Sequence, residues 1–179
     1  SAPLPPEDAE NPNIYPLPEG LGLFVDLNRM PDSSPVIVYY DRSAGDLKLT
    51  KFDTANDRFN VSVVLDGTGD VDAGWSPSVA VDPQGVVHVA YVDATKDDLV
   101  YVTDAPGASR EVVDDGLRIV GTTVDGLPKP EYHFVGDDAS LVLGGGSFPM
   151  IVYQDATTQE LLLSKKLTTG WDRRSIAGH

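Results

Sequence analysis

Acidic side chains hold most of the chemistry available to this chain. Asp41, Asp93 and Asp155 each stand two residues after a tyrosine (Tyr39, Tyr91 and Tyr153), and each is followed five residues later by an acid and then a leucine, Leu47, Leu99 and Leu161. Carboxylates repeated in this way have two uses. They can ring a cation or a polar ligand, or each can start a tight turn by accepting backbone N–H groups just ahead of it. Asp93-Ala94-Thr95 and Asp155-Ala156-Thr157 have the sequence of such turns, and one site seldom needs a copy from every repeat. The three aspartates are therefore read as turn formers.

Asp66-Gly67-Thr68-Gly69-Asp70-Val71-Asp72 is the one stretch with the alternating oxygen ligands and glycines that a Ca²⁺ loop uses. Its candidate ligands are Asp66, Asp70 and Asp72. Val71 stands where an EF-hand needs glycine and Pro77 where it needs a bidentate acid, so a solvated acidic loop competes with the cation site. No other cofactor is expected. His88 is a lone strand histidine, read as buried and hydrogen-bonded, and His133 and His179 have no evident companions. The chain has no cysteine, which excludes thiolate metal sites, disulfides and a cysteine nucleophile. No residue is assigned a catalytic role. Trp75, Tyr132 and Phe134 are the loop aromatics on which a sugar can stack, whereas Trp171 starts a strand and is read as packing between repeats.

The balance of charge narrows the partners. The chain carries 28 acidic against 13 basic residues, a formal net charge of −15, and 41% of its 179 residues are hydrophobic. That apolar share suffices for a folded core. The negative charge repels nucleic-acid phosphates and anionic lipid surfaces, which leaves cations, basic proteins and neutral glycans. No apolar run reaches the roughly 20 residues of a membrane-spanning helix, so no membrane insertion is expected. The sequence opens Ser1-Ala2-Pro3 without Met, which is taken as the trace of signal-peptide removal. The expected location is secreted, periplasmic or at the cell surface.

Something regular must position these residues. Three segments align without a gap, 35–41, 87–93 and 149–155, at offsets of 52 and 62. An apolar strand precedes each; Leu23-Phe24-Val25-Asp26, followed by a longer loop, is taken as the counterpart of Val79-Ala80-Val81-Asp82 and of Leu141-Val142-Leu143-Gly144. Gly22, Ser78 and Ser140 are taken as one equivalent small position. A third strand follows each leucine (47–52, 99–103, 161–165), and then a more polar fourth (59–65, 110–113, 171–176). Arg58, Arg110, Arg173 and Arg174 mark that fourth strand as a solvated edge. The first two strands are nearly continuous apolar runs, as in a sheet covered on both faces. No segment shows a helical period. Residues 1–19 hold six prolines and read as an N-terminal arm. The expectation is an all-β fold of three four-stranded antiparallel units, about 20–66, 75–116 and 131–179, of the β-propeller blade type.

The units resemble the repeat of secreted bacterial β-propellers. There a small residue and an aliphatic strand lead through an Asp-x-x-Gly turn to His-aliphatic-x-Tyr-x-Asp and a leucine-led strand. The second unit matches through Ser78, Asp82-Pro83-Gln84-Gly85, His88, Tyr91, Asp93 and Leu99; Val36 and Met150 replace the histidine in the other two. Three blades do not close a ring, so the resemblance implies that a second copy, as a homo-oligomer, or a partner chain completes the propeller. It also places the long connections 66–75 and 114–138 at one acidic end, with Trp75, Tyr132, Phe134, Asp137 and Asp138 as candidate binding residues. The function expected is a non-catalytic extracellular interaction or structural module contacting a protein or glycan through that end. A glycan-binding, lectin-like propeller is the alternative. A sialidase-like glycoside hydrolase has less support, because four of the seven arginines fall on outer strands and the Ser-x-Asp-x-Gly-x-x-Trp turn is absent.

Overall fold

The computed structural model describes residues 21–178, which form strands and turns with no helix. The N-terminal arm expected over residues 1–19, and His179, lie outside the described residues. β1 (Leu21–Arg29), β2 (Pro35–Asp41) and β3 (Asp46–Asp53) make an antiparallel sheet whose outermost strand is broken into β4 (Arg58–Phe59) and β5 (Val63–Asp66), both paired with β3. β6 (Ala73–Val81), β7 (Val87–Asp93), β8 (Asp98–Thr103) and β9 (Glu111–Asp114) make the second sheet in sequence order. Among the described residues β10 (Leu117–Thr122) and β11 (Pro128–Tyr132) pair only with each other. β12 (Val135–Leu143), β13 (Pro149–Asp155), β14 (Glu160–Leu167) and β15 (Gly170–Ala177) complete the third. The all-β, antiparallel, four-stranded organisation is the one the repeat predicts.

The strands follow from their side chains. In β2 the buried residues alternate, Val36, Val38 and Tyr40 pointing one way and half-buried Ile37 and Tyr39 the other. β7 is buried at every position, because the second sheet is covered on both faces. One core lies between the first and second sheets, where Val36, Val38, Leu47 and Leu49 meet Val79, Val89, Tyr91 and Val100. The other lies between the second and third, where Ala90, Leu99 and Tyr101 meet Leu141, Ile151 and Tyr153.

Two sequence expectations need correction. Asp26 pairs with Val38 as Ser78 pairs with Ala90 and Ser140 with Val152, so Asp26, and not Gly22, is the counterpart of those serines. The connections to the second strand, residues 30–34, 82–86 and 144–148, are equally long. Matching Asp26 to Asp82 by residue type slid the first strand by four positions. The corrected register brings out a second equivalence. Gly22, Gly74 and Gly136 all have positive φ and are followed two residues later by Phe24, Ser76 and Asp138, again at positive φ. Each first strand therefore carries the same bulge. A Cβ at Gly74 would lie 2.9 Å from the Leu47 Cα, so the motif leucine of one sheet seats directly against the bulge glycine of the next.

The first strands are also tied to each other by polar bonds. The Val79 N–H donates to Asp26 Oδ2 at 2.8 Å, and the Leu141 N–H donates to Ser78 Oγ at 3.0 Å, the same position one sheet further on. The connection 114–138, read from sequence as a long loop, holds the β10–β11 hairpin. Pro128 and Pro130 disguised it, because proline is excluded from central strands although not from edges.

Candidate functional site

Asp41, Asp93 and Asp155 are all buried. In each, Oδ1 accepts the N–H two residues ahead: Ser43 at 3.1 Å, Thr95 at 3.0 Å and Thr157 at 3.1 Å. The other oxygen of each meets a base. Asp41 Oδ2 pairs with Lys48, and Asp93 Oδ2 lies 2.6 Å from Arg110 Nη2. Asp155 Oδ2 lies 2.7 Å from His133 Nδ1 and 3.3 Å from Arg118 Nη2. Both oxygens of every repeated carboxylate are thus occupied.

Two of the three repeated tyrosines, Tyr91 and Tyr153, reach across the junctions between sheets. Tyr91 donates its hydroxyl to Asp66 at the end of β5, and Arg110 Nη1 lies 3.2 Å from the same oxygen. Tyr153 donates to Asp114 Oδ2 at 2.8 Å, at the end of β9. Asp114 also takes Arg173 at 2.7 Å and both terminal nitrogens of Arg118, at 3.0 and 2.9 Å. Each tyrosine thereby clasps its own sheet to the preceding one, with an arginine closing the clasp. Arg110 is a half-buried junction residue and not a solvated edge, which corrects the sequence reading, and Arg173 reaches the junction while staying partly in solvent; among the described residues Arg174 meets its neighbour Asp172 and is largely exposed. Their chemistry misled because a charged residue on an outer strand looks alike whether it meets water or an adjacent sheet.

Burial and charge act against each other here. Burial alone would push the Asp114 carboxyl up, but Arg118, Tyr153 and Arg173 outweigh it and hold it below the usual carboxylate range. Asp155 behaves alike: burial raises it, and His133, the Thr158 N–H and Arg118 bring it down. The Tyr91 hydroxyl is pushed far up, by burial first and by Asp66 second, and stays protonated as a donor. The network is closed and holds no free nucleophile or base.

Arg118 and His133, which no sequence motif links, root the β10–β11 hairpin on this network. The His133 N–H donates to the Gly116 carbonyl at 3.0 Å, and a Cβ at Gly116 would fall 2.1 Å from the His133 oxygen. Beyond the root the hairpin stands in solvent. Leu117 and Ile119 lie opposite Tyr132 and Pro130, and all four are exposed on one face.

Of the candidate binding residues, Tyr132 ends β11, and half-buried Phe134 donates its N–H to Thr157 Oγ1 at 3.0 Å. Trp75 lies within β6 and not in a loop, 36% exposed, stacked on Phe24 at 5.9 Å and edge-on to Tyr40 at 6.2 Å. Asp137 sits near it, 3.5 Å from the Ser76 hydroxyl, and Asp138 is exposed at its bulge. The candidate calcium ligands are divided. Asp66 accepts from Tyr91 and Arg110, Asp72 accepts the Tyr40 hydroxyl at 2.8 Å, and Asp70 is exposed. Among the described residues no group of three or more His, Cys, Asp or Glu side chains is placed to hold a metal ion. His88 is buried, shares a hydrogen bond with the Tyr101 hydroxyl, and has its Nε2 without a hydrogen-bond partner, 3.6 Å from Asp82.

No protein-family model matches the chain, and no curated protein matches it either.

Proposed function

We propose that the chain is a non-catalytic extracellular interaction module of the secreted bacterial β-propeller type, its three sheets being consecutive blades. The observation that carries this reading is the hairpin root. Arg118 and His133 tie a two-stranded arm with an exposed apolar face to two aspartates whose side chains have no exposed surface. A hairpin of that size is marginal in water by itself, so anchoring it on buried charge fits a surface held ready for a protein partner. Tyr91, Tyr153, Asp93, Asp155, Arg110 and Arg173 are engaged at or beside the junctions, and Tyr39 and Asp41 within the first sheet, which leaves the hairpin end as the contact surface. Apolar residues on the outer faces of the end sheets, Leu27 and Ile37 on the first and Val142 and Leu161 on the third, would take further blades from a partner chain or a second copy.

A glycan-binding reading is supported by the exposed Phe24–Trp75 stack beside Asp137. The test compares the immobilised chain with a variant whose residues 118–131 are replaced by a short turn. Both are presented to secreted proteins of the source organism and to a glycan array. Saturable binding of a protein by the intact chain, lost in the variant, is the expected result. Binding unaffected by loss of the hairpin, or turnover of chromogenic glycosides, overturns it, and glycan binding abolished by Trp75→Ala moves the reading to the lectin.

A further inference from the structure

The β10–β11 hairpin has one closed edge and one open edge. His133 donates to Gly116 at one end of the ladder and Thr123 donates to Leu127 at 2.7 Å at the other. Hydrogen-bonding groups alternate in and out along antiparallel strands, so those of Arg118 and Glu131 face inward and those of Ile119 and Pro130 outward. Pro128, opposite Thr122 beyond the bulge, also faces outward. Both prolines of β11 therefore fall where an approaching strand would need an N–H, and that edge is closed. β10 carries no proline. The Leu117 N–H is taken by Asp115 Oδ1 at 3.0 Å, which leaves Ile119, 60% exposed, and Thr122 beyond the bulge as the pairing points open among the described residues.

We infer that the open edge of β10 pairs with β10 of a second copy of this chain. The inference rests on the reading of the hairpin end as the contact surface. A two-fold axis beside Ile119 sets β10 antiparallel to itself, with each Ile119 N–H donating to the Ile119 carbonyl of the other copy. Leu117–Thr122 contains no acidic residue and carries Arg118, so two chains of net charge −15 can meet there without acidic side chains facing each other along the paired strands. The prolines stop a third hairpin from adding on the far edge, and the assembly closes as a dimer of hairpins. The paired hairpins form a four-stranded sheet carrying Leu117, Ile119, Pro130 and Tyr132 of both copies on one face.

Size-exclusion chromatography with light scattering, over micromolar to near-millimolar concentration, reads the result. The wild-type chain is expected to reach twice its 19.1 kDa, and Ile119→Pro, which removes an outward N–H and no hydrogen bond within the hairpin, to stay at half that mass with an unchanged circular dichroism spectrum. Ile119→Val, which keeps the N–H, should still dimerise. In the wild type the Ile119 amide should exchange more slowly as concentration rises. A wild-type chain that stays monomeric, a dimeric Ile119→Pro, or an Ile119 amide whose exchange ignores concentration each overturns the proposal. A monomer whose hairpin is still needed to hold a foreign protein defeats the dimer alone; a β10 dimer that retains no other protein defeats the wider interaction reading alone.

Discussion

Ala177 lies opposite Leu161 in the register that sets Asp66 opposite Leu47 and Asp114 opposite Leu99. The third sheet thus ends without the aspartate that the first two offer to their neighbour's tyrosine. At the other end, Tyr39 donates to Ser62 of its own sheet at 2.8 Å, and Asp41 is neutralised by Lys48 of its own sheet. Among the described residues the clasp occurs at the two internal junctions. Tyr91→Phe and Tyr153→Phe should each cost about 1–3 kcal/mol, because half-buried Asp66 and buried Asp114 lose a donor, and Tyr39→Phe about 1 kcal/mol or less. Urea unfolding of the three variants checks this. Equal losses at all three would refute the junction role.

Arg118→Ala should cost about 2–4 kcal/mol, less than a fully orphaned pair, since Arg173 still faces Asp114 and His133 still faces Asp155. Arg174→Ala should change stability by less than about 0.5 kcal/mol, being a solvent-screened pair. In Arg118→Ala the amides of β10 and β11 should exchange faster than those of β13. Uniform acceleration would mean that Arg118 does not specifically hold the hairpin.

Acid should unfold the protein in a defined window. Asp41, Asp114 and Asp155 all sit below the usual carboxylate range in the folded chain, despite burial that opposes this. The stability they confer is complete above the unfolded value of about 4 and is lost as pH falls through the lower folded values. Asp98 has the opposite sign: burial first, then Asp93 and Asp115, push its carboxyl up, so its contribution fades as pH rises. Urea midpoints should hold through neutrality and drop below about pH 4. Asp98→Asn should raise the midpoint at neutral pH, and a fall there would show that its charge is needed.

Gly116→Ala places a methyl group on the His133 carbonyl at a left-handed backbone position, φ +66°, and should cost several kcal/mol, on the order of 3. Gly126→Ala, at φ +76° with open space around it, should cost about 1 kcal/mol. Thermal melts of the pair separate the crowding from the backbone strain common to both.

Calcium should not move the melting curve relative to EDTA, since Asp66 is already held by Tyr91 and Arg110 and Asp72 by Tyr40. A calcium-dependent rise that Asp70→Asn abolishes would put a cation in the loop 66–72.

The fold was legible where its causes are local. Alternation around Tyr39, Tyr91 and Tyr153, and the aspartate two residues on, are set by neighbours a few positions away, and they recur at fixed offsets. Extending the gapless offsets upstream also aligns Gly22, Gly74 and Gly136, so the shared bulge is visible in the sequence. The clasp had no such signal. Asp66 precedes its tyrosine by 25 residues and Asp114 by 39, because the hairpin intervenes, and nothing local links an aspartate on one sheet to a hydroxyl on the next. His133 looked solitary for the same reason: its partner Asp155 is 22 residues away.

The second sheet supplies side chains to both cores, while the first and third each supply only one. That asymmetry sets the order in which the chain can come apart. Detaching an end sheet breaks one junction and leaves a folded pair, whereas melting the central sheet strands both neighbours at once. Cooperativity is therefore concentrated in the middle. Amides of β7 should open only when the whole molecule unfolds, while those of β1 and β15 report cheaper, partial openings from either end. A protease would trim the described chain inward from its two outer sheets and find the central one last.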